Sequence, residues 1–178
     1  MTASGSKVVT RDLEATNGIV HLIDQVMYPI PDKDIIQTCA QRPSLTQLVY
    51  SIVRANLQND LVGGPFTVFA PLDSAFDALP TGYLNTEFLT LDKARNLIEY
   101  HYVKGTYYSV GLHDGDSVTT SQGTDVTIHI NNGKVMVNNA TVVEANIPVT
   151  NGVIHVIDTV LVPSKHMDLV NAVDPVGR

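Results

Sequence analysis

At 178 residues, 44% of them hydrophobic and 16% charged, the chain can bury one sizeable core and is no disordered polyelectrolyte. Its net charge of -7, from 11 basic and 18 acidic residues, supplies no phosphate-binding stripe and argues against nucleic acid as a partner. Cys39 is the only cysteine, which excludes an internal disulfide and a cysteine-built metal site. In chain order, Met1 to Lys7 is polar and lacks the apolar core of a signal peptide. It reads as a cytosolic start, an added leader, or a piece of a secreted chain whose signal lies elsewhere. No apolar run approaches the roughly 20 residues of a membrane helix; Val153 to Val162 is broken by His155 and Asp158.

The chain writes one motif twice, TNGIVHLIDQVMYP at 16–29 and TNGVIHVIDTVLVP at 150–163. Thr16, Asn17, Gly18, His21, Ile23, Asp24, Val26 and Pro29 recur 134 positions later as Thr150, Asn151, Gly152, His155, Ile157, Asp158, Val160 and Pro163. The match extends upstream to Val8-Val9 and Leu13, and weakly downstream to Asp168-Leu169-Val170. Solenoid units have periods of about 20–50 residues, so this spacing marks whole domains. The expected division is 1–31 as a leader plus the C-terminal part of a preceding unit, 32–163 as a complete unit, and 164–178 as a tail or the start of a linker.

Within the complete unit, Asp34 to Cys39 and Leu45 to Leu57 carry helical periodicity, and Gly63-Gly64-Pro65 ends that stretch. Phe66 to Ala70 reads as a short buried strand, and Asp73 as the N-cap of a short helix through Leu79. Leu91 to Val103 is an amphipathic helix with Ala94, Leu97, Ile98 and His101 on one stripe. Beyond Gly105 the period becomes two: Asp125 to Asn131 and Lys134 to Asn138 flank a hairpin turn at Asn132-Gly133. Thr141 to Glu144 and Val153 to Val162 complete an α+β chain with helices first and strands second. Gly18 and Gly152 are expected at positive φ.

Phe66-Thr67-Val68-Phe69-Ala70-Pro71, followed by Ala75-Phe76 and Leu79-Pro80, resembles the first signature block of the fasciclin I-type domain. Tyr100-His101 resembles its central Tyr-His motif, and Thr150 through Pro163 its second block. The resemblance implies a wedge-like antiparallel β-sandwich with helices packed around it. It implies a tandem extracellular or cell-surface module for adhesion to matrix proteins and receptors such as integrins. Thr67, Phe69, Pro71, Asp73, Phe76, Asn151, Gly152, His155, Asp158 and Pro163 then become structural motif positions, and Tyr100-His101 a receptor-contact candidate. Two departures stand out. Leu72 replaces the small polar residue usual after Ala-Pro, and Asn146-Ile147 stands where some members carry an integrin-binding Asp-Ile pair. The partial repeat keeps Asp12-Leu13, so both pairs are contact candidates; a metal site in a receptor prefers a carboxylate to an amide.

The six histidines show no ligand-like spacing, and no metal or cofactor is expected. His101 and His155 read as buried and hydrogen-bonded, the alternative being that Tyr100-His101 and its apolar neighbours form a contact surface. Asp158 near His155 suggests a triad with Ser74, yet no Gly-x-Ser-x-Gly turn is present, so no catalysis is expected. Asn139-Ala140-Thr141 is the one glycosylation sequon. Cys39 reads as a small buried hydrophobe, or alternatively as an intermolecular disulfide partner. The alternative to adhesion is a carrier of an apolar molecule, such as a carotenoid or lipid, held between helix and sheet. Strands at 8–29 expose Ile19, Val20, Leu22, Ile23 and Val26, from which self-association, domain swapping or disorder is expected.

Overall fold

The computed structural model describes residues 2–3, 6–24, 26–27, 32–83 and 90–163. Pro29, Asp168-Leu169-Val170 and the expected tail 164–178 lie outside the described residues. Two separate sheets form. The smaller contains β1 (Thr2–Ala3), β2 (Ser6–Ala15) and β3 (Gly18–Ile23) in that order.

The larger begins after α1 (Ile35–Ala40) and α2 (Thr46–Arg54) with β4 (Phe66–Pro71), followed by α3 (Asp73–Asp77) and α4 (Leu91–Glu99). Six strands follow: β5 (Tyr102–Lys104), β6 (Ser117–Thr119), β7 (Asp125–Asn131), β8 (Lys134–Val137), β9 (Ala140–Val149) and β10 (Gly152–Ile157). Their spatial order is β5-β4-β10-β9-β8-β7-β6. A bridge between Val103 and Thr120 brings the two ends of the sheet together, so it folds back on itself as a sandwich. The expected α+β fold thus appears, with one departure from antiparallel pairing: β4 runs parallel to β10, Phe66 opposite Gly152 through Pro71 opposite Ile157.

That pairing explains the uninterrupted apolar runs of the two signature blocks. A strand covered on both faces needs apolar side chains at every position, and all six residues of β4 are buried. Phe66, Val68 and Ala70, with Ile154 and Val156 of β10, face a core shared with Ile35, Leu48, Ile52, Leu97 and Ile98 of the helices. Phe69 and Ile157 face the sandwich interior with Val126, Ile128, Val137 and Ala140. Fully burying a side chain of the size of Phe69 contributes about 2–3 kcal/mol.

The helix starts are fixed by polar side chains. Asp34 accepts from the Gln37 amide at 2.8 Å while the Gln37 side chain accepts from the Asp34 amide, a reciprocal capping box. Asp73 departs from its expected role. Its own helix starts after Leu72, and its carboxylate instead caps α2, accepting from the Gln47 amide at 2.8 Å and the Thr46 hydroxyl at 2.5 Å. Leu45, the residue preceding α2, has no side-chain oxygen, so the cap is supplied across space. The amphipathic stretch from Leu91 stops being helical at Glu99, because Tyr102 to Lys104 are drawn off to pair with β4. Asn132 and Gly133, at φ 50° and 76°, make the expected hairpin turn. Cys39 is fully buried, and burial pushes its thiol up to about 12, which removes the disulfide reading.

Gly152 and Gly18 part company. A Cβ on Gly152 would fall 1.8 Å from the Phe66 carbonyl oxygen, and its φ is 151°; only glycine lets the β4 backbone come so close. Around Gly18 a Cβ would meet nothing within 4 Å, and no positive φ is found, because no counterpart of β4 lies against β3 among the described residues. Gly152→Ala is therefore expected to cost at least about 3 kcal/mol in urea unfolding, whereas Gly18→Ala shifts the same transition by no more than about 0.5 kcal/mol.

Candidate functional site

The two copies of the repeated motif fold into the same local structure. Adding 134 to the bounds of β2 and β3 gives those of β9 and β10. The registers transform likewise: Leu13 opposite Val20 becomes Ile147 opposite Ile154, and Val8 opposite Ile23 becomes Val142 opposite Ile157. Thr2 and Ala3 pair with Lys7 and Ser6 as Met136 and Val137 pair with Thr141 and Ala140. Both copies carry a bulge whose apex residue has positive φ, 58° at Asp12 and 63° at Asn146. In each, the apex amide donates to Nδ1 of the histidine across the hairpin: Asp12 to His21 at 3.1 Å, Asn146 to His155 at 3.4 Å. In each, an aspartate closes the far end, Asp24 accepting from the Lys7 amide and Asp158 from the Thr141 amide, both at 2.8 Å.

What differs is the surroundings. In the complete unit Asn151 accepts from the Ile35 amide at 3.0 Å and donates to the Leu61 carbonyl at 2.6 Å, tying the hairpin turn to the start of α1 and to the loop before β4. His155, stacked on Phe69 at 6.0 Å, donates from Nε2 to the Tyr107 carbonyl at 2.8 Å. Thr67 completes that clasp, donating to the Gly105 carbonyl at 2.8 Å and accepting from the Tyr107 amide at 2.9 Å. The Asn146 side chain accepts from the Ser109 amide at 2.8 Å and its Nδ2 lies 2.7 Å from the Ser109 hydroxyl. Segment 105–111 is thus pinned over the sheet, leaving Tyr107 and Val110 partly exposed. Periodicity does not reveal this segment, since it has no regular period; Thr67 is its one trace in the signature block.

Tyr100 and His101 hold the two layers together from inside. The Tyr100 hydroxyl donates to the Asp125 carbonyl and accepts from Asn138 Nδ2, both at 3.1 Å. His101 Nδ1 bonds the Leu97 carbonyl at 2.8 Å and its Nε2 accepts from the Leu161 amide at 3.0 Å, which assigns the neutral Nδ1–H tautomer. At 5% and 1% exposure, neither side chain presents a surface to a receptor in this fold. Burial lowers the His101 pKa to about 4, and burial lowers that of His155 as well.

The remaining sequence candidates separate cleanly. Asn146 is spent on Ser109, and Ile147 packs against the helix-side core. Asp12, with 75% of its side chain exposed and its carboxylate 3.8 Å from His21 Nδ1, and Leu13, 41% exposed, stand outward on the small sheet. His155 and Asp158 bond to different partners, and Ser74 is exposed on α3, so the triad suggested by sequence does not assemble. Burial pushes the Asp158 carboxyl up, but bonds from Thr141 and Thr159 outweigh it and leave the group below its ordinary value. Asn139 is exposed in the turn between β8 and β9, where a glycan has room. Phe76 is buried on α3, and Pro163 is buried just beyond the last strand.

A family model described as Fasciclin domain matches residues 1–29 and 43–163. A protein of Synechocystis, sll1483, is 39% identical over 132 residues, covering 72% of this chain and 73% of its own length. Human periostin is 32% identical over 171 residues, covering 93% of this chain and 20% of periostin. Among solved structures, a FAS1 domain pair from the insect cell adhesion molecule fasciclin I superposes with a TM-score of 0.65 at 20% identity. That match covers 91% of this chain and 62% of the insect one, and it bears on the fold alone.

The buried histidines make stability depend on pH. The unfolded chain takes up a proton on His101 below about 6.5 while the folded chain stays neutral down to about 4. Stability is then fully present above 6.5 and falls as pH drops toward 4, with a slope of up to about 1.4 kcal/mol per pH unit from this residue. Urea midpoints measured from pH 7 to 4 should fall accordingly, and imidazole nitrogen NMR should show His101 neutral and Nδ1-protonated at pH 5.

Proposed function

Since the chain belongs to the fasciclin domain family, we propose that it serves as a cell-adhesion and matrix-interaction module of a tandem protein, outside the cell or at its surface. Its partners in this reading are matrix proteins or cell-surface receptors. In this reading residues 1–31 hold a leader and the C-terminal part of one unit, 32–163 a complete unit, and 164–178 a tail or the start of a linker or next repeat. Periostin among the relatives and the doubled unit support it. No helix among the described residues is long and apolar enough to cross a membrane.

One observation carries the choice of contact site: the repeated bulge presents Asp12 to solvent in one copy and spends Asn146 internally in the other. A receptor that coordinates a carboxylate through a divalent cation finds a hard anionic oxygen at Asp12 and an occupied amide at Asn146. Leu13 adds an exposed apolar contact beside it. Integrins are the receptor class with this requirement, and Asn139 is the glycosylation site that fits an extracellular setting. The reading includes no cofactor and no enzymatic role.

The carrier alternative places a carotenoid or lipid between helix and sheet. In that space Leu48, Ile52, Leu97 and Ile98 share one cluster of buried side chains with Val68, Ile154 and Val156, which favours adhesion. Cells bearing integrin-type receptors should attach to immobilised protein in the presence of divalent cations. Asp12→Asn should raise the half-saturating coating density at least about tenfold, with Asn146→Ala leaving it within about twofold. Attachment that ignores Asp12 and cations would sink this site assignment.

A further inference from the structure

The chain holds three Asn-Gly pairs, two of them in the complete unit, at Asn132-Gly133 and Asn151-Gly152. Such a pair is open to attack of the glycine amide on the preceding side chain, because glycine carries no Cβ to crowd the ring that forms. The fold treats the two pairs in opposite ways. Asn151 is held at both ends of its side-chain amide and at its carbonyl. Its Oδ1 accepts from the Ile35 amide at 3.0 Å, Nδ2 donates to the Leu61 carbonyl at 2.6 Å, and the main-chain oxygen accepts from the Phe66 amide at 3.0 Å. Gly152 is pressed against β4, where a Cβ would fall 1.8 Å from the Phe66 carbonyl oxygen. Asn132 and Gly133 are both exposed, and the Asn132 side chain bonds to no other described residue. A Cβ built on Gly133 would meet nothing within 4 Å.

We propose that Asn132 is a site of spontaneous deamidation, and that its isoaspartyl product uncouples β7 from β8. The Gly133 amide nitrogen, having lost its proton, attacks Cγ of Asn132. A nitrogen–Cγ bond forms, the Cγ–Nδ2 bond breaks, and the side-chain amide leaves as ammonia, closing a succinimide ring. Water then opens the ring on either side of the nitrogen. Cleavage of the new bond to Cγ yields aspartate. Cleavage of the old bond to the main-chain carbonyl carbon yields isoaspartate, with Cβ and Cγ now in the backbone. Nothing is oxidised or reduced, and water is the co-reactant. Aspartate suits the turn, since Asn132 sits at φ 50°, a region that aspartate also enters. Isoaspartate adds a methylene to a two-residue turn whose ladder starts at Asn131 opposite Lys134. Ile128 and Val137, paired further along that ladder, are buried in the sandwich interior, so a disturbed register reaches the core. At Asn151 the same ring closure requires the turn, α1 and β4 to part first, so it waits on opening of the unit.

The test incubates the full chain in mildly alkaline buffer, native and in urea, and follows each asparagine by peptide mapping with mass spectrometry. In the native protein Asn132 is expected to convert at least about tenfold faster than Asn151, and in urea the two rates are expected to converge within about threefold. Isoaspartate in the peptide spanning 132 is read by labelling with an isoaspartyl methyltransferase. Hydrogen exchange on the isoaspartyl fraction is expected to show lost protection at 128–137, whereas Asn132→Asp keeps it. Asn132→Gly, which leaves a residue at ease with positive φ in the turn, is expected to abolish that labelling and leave the thermal transition in place. Equal native rates at the two sites, conversion of Asn132 only in urea, or an isoaspartyl fraction as protected as the unmodified chain would each overturn the proposal.

Discussion

The approach of the β4 backbone to Gly152 is the contact on which the rest of the complete unit depends. The Phe66 carbonyl lies where a Cβ would stand, and from that point the parallel ladder runs to Ile157. Because β4 and β10 lie side by side at the centre, each can offer one face to the helices and the other to the sandwich interior. Asn151, one residue earlier, fastens the start of α1 and the loop before β4 to the same turn. A side chain at 152 would separate both cores from their shared wall. The neighbouring glycine Gly64 is crowded from the other side, its absent Cβ only 2.6 Å from the Asn151 carbonyl oxygen.

The three signature blocks are therefore parts of one object. The first supplies β4 and the Asp73 carboxylate that caps α2. The second supplies β10, its turn and the Leu161 amide held by His101. The Tyr-His pair joins them, with the Phe69 amide bonded to the His101 carbonyl at 2.8 Å. Two buried histidines take opposite tautomers for this purpose, Nδ1–H at His101 and Nε2–H at His155, each bonded at both ring nitrogens. Such groups are invisible to a receptor, yet losing one would unlock the layers that shape the surface.

Much of this was legible in the residues, and the exceptions have physical causes. Helices with an apolar stripe, the Asn132-Gly133 hairpin and the buried run at β4 follow local rules and appear where periodicity places them. β9 is longer than its alternation suggests, because the bulge at Asn146 shifts the pattern by a residue and a proline at 148 reads as a strand breaker. At Pro148 only β10 is paired, since β8 reaches β9 only at Ala140 and Thr141, so the missing amide hydrogen costs nothing on that edge. Asp73 looks like a cap for the helix it precedes; nothing local says that α2, 26 residues away, lacks one. The site showed the same split. The doubled motif and the Asp12–Asn146 exchange are written in the chain, whereas the burial of Tyr100 and the clasp on segment 105–111 exist only once distant strands meet.

The repeat also separates what a hairpin knows by itself from what the domain teaches it. β2 and β3 keep the register, the bulge and the histidine contact of β9 and β10 without β4, α1 or segment 105–111 beside them. The geometry is thus encoded within about 20 consecutive residues. In β10 those local contacts need only a tight turn, whereas Phe66 must return across 86 residues to reach Gly152. Loop closure places such a contact late in folding. The C-terminal hairpin is then a template completed before its central partner arrives, and the time between the two is when a strand from another molecule could take the vacant side.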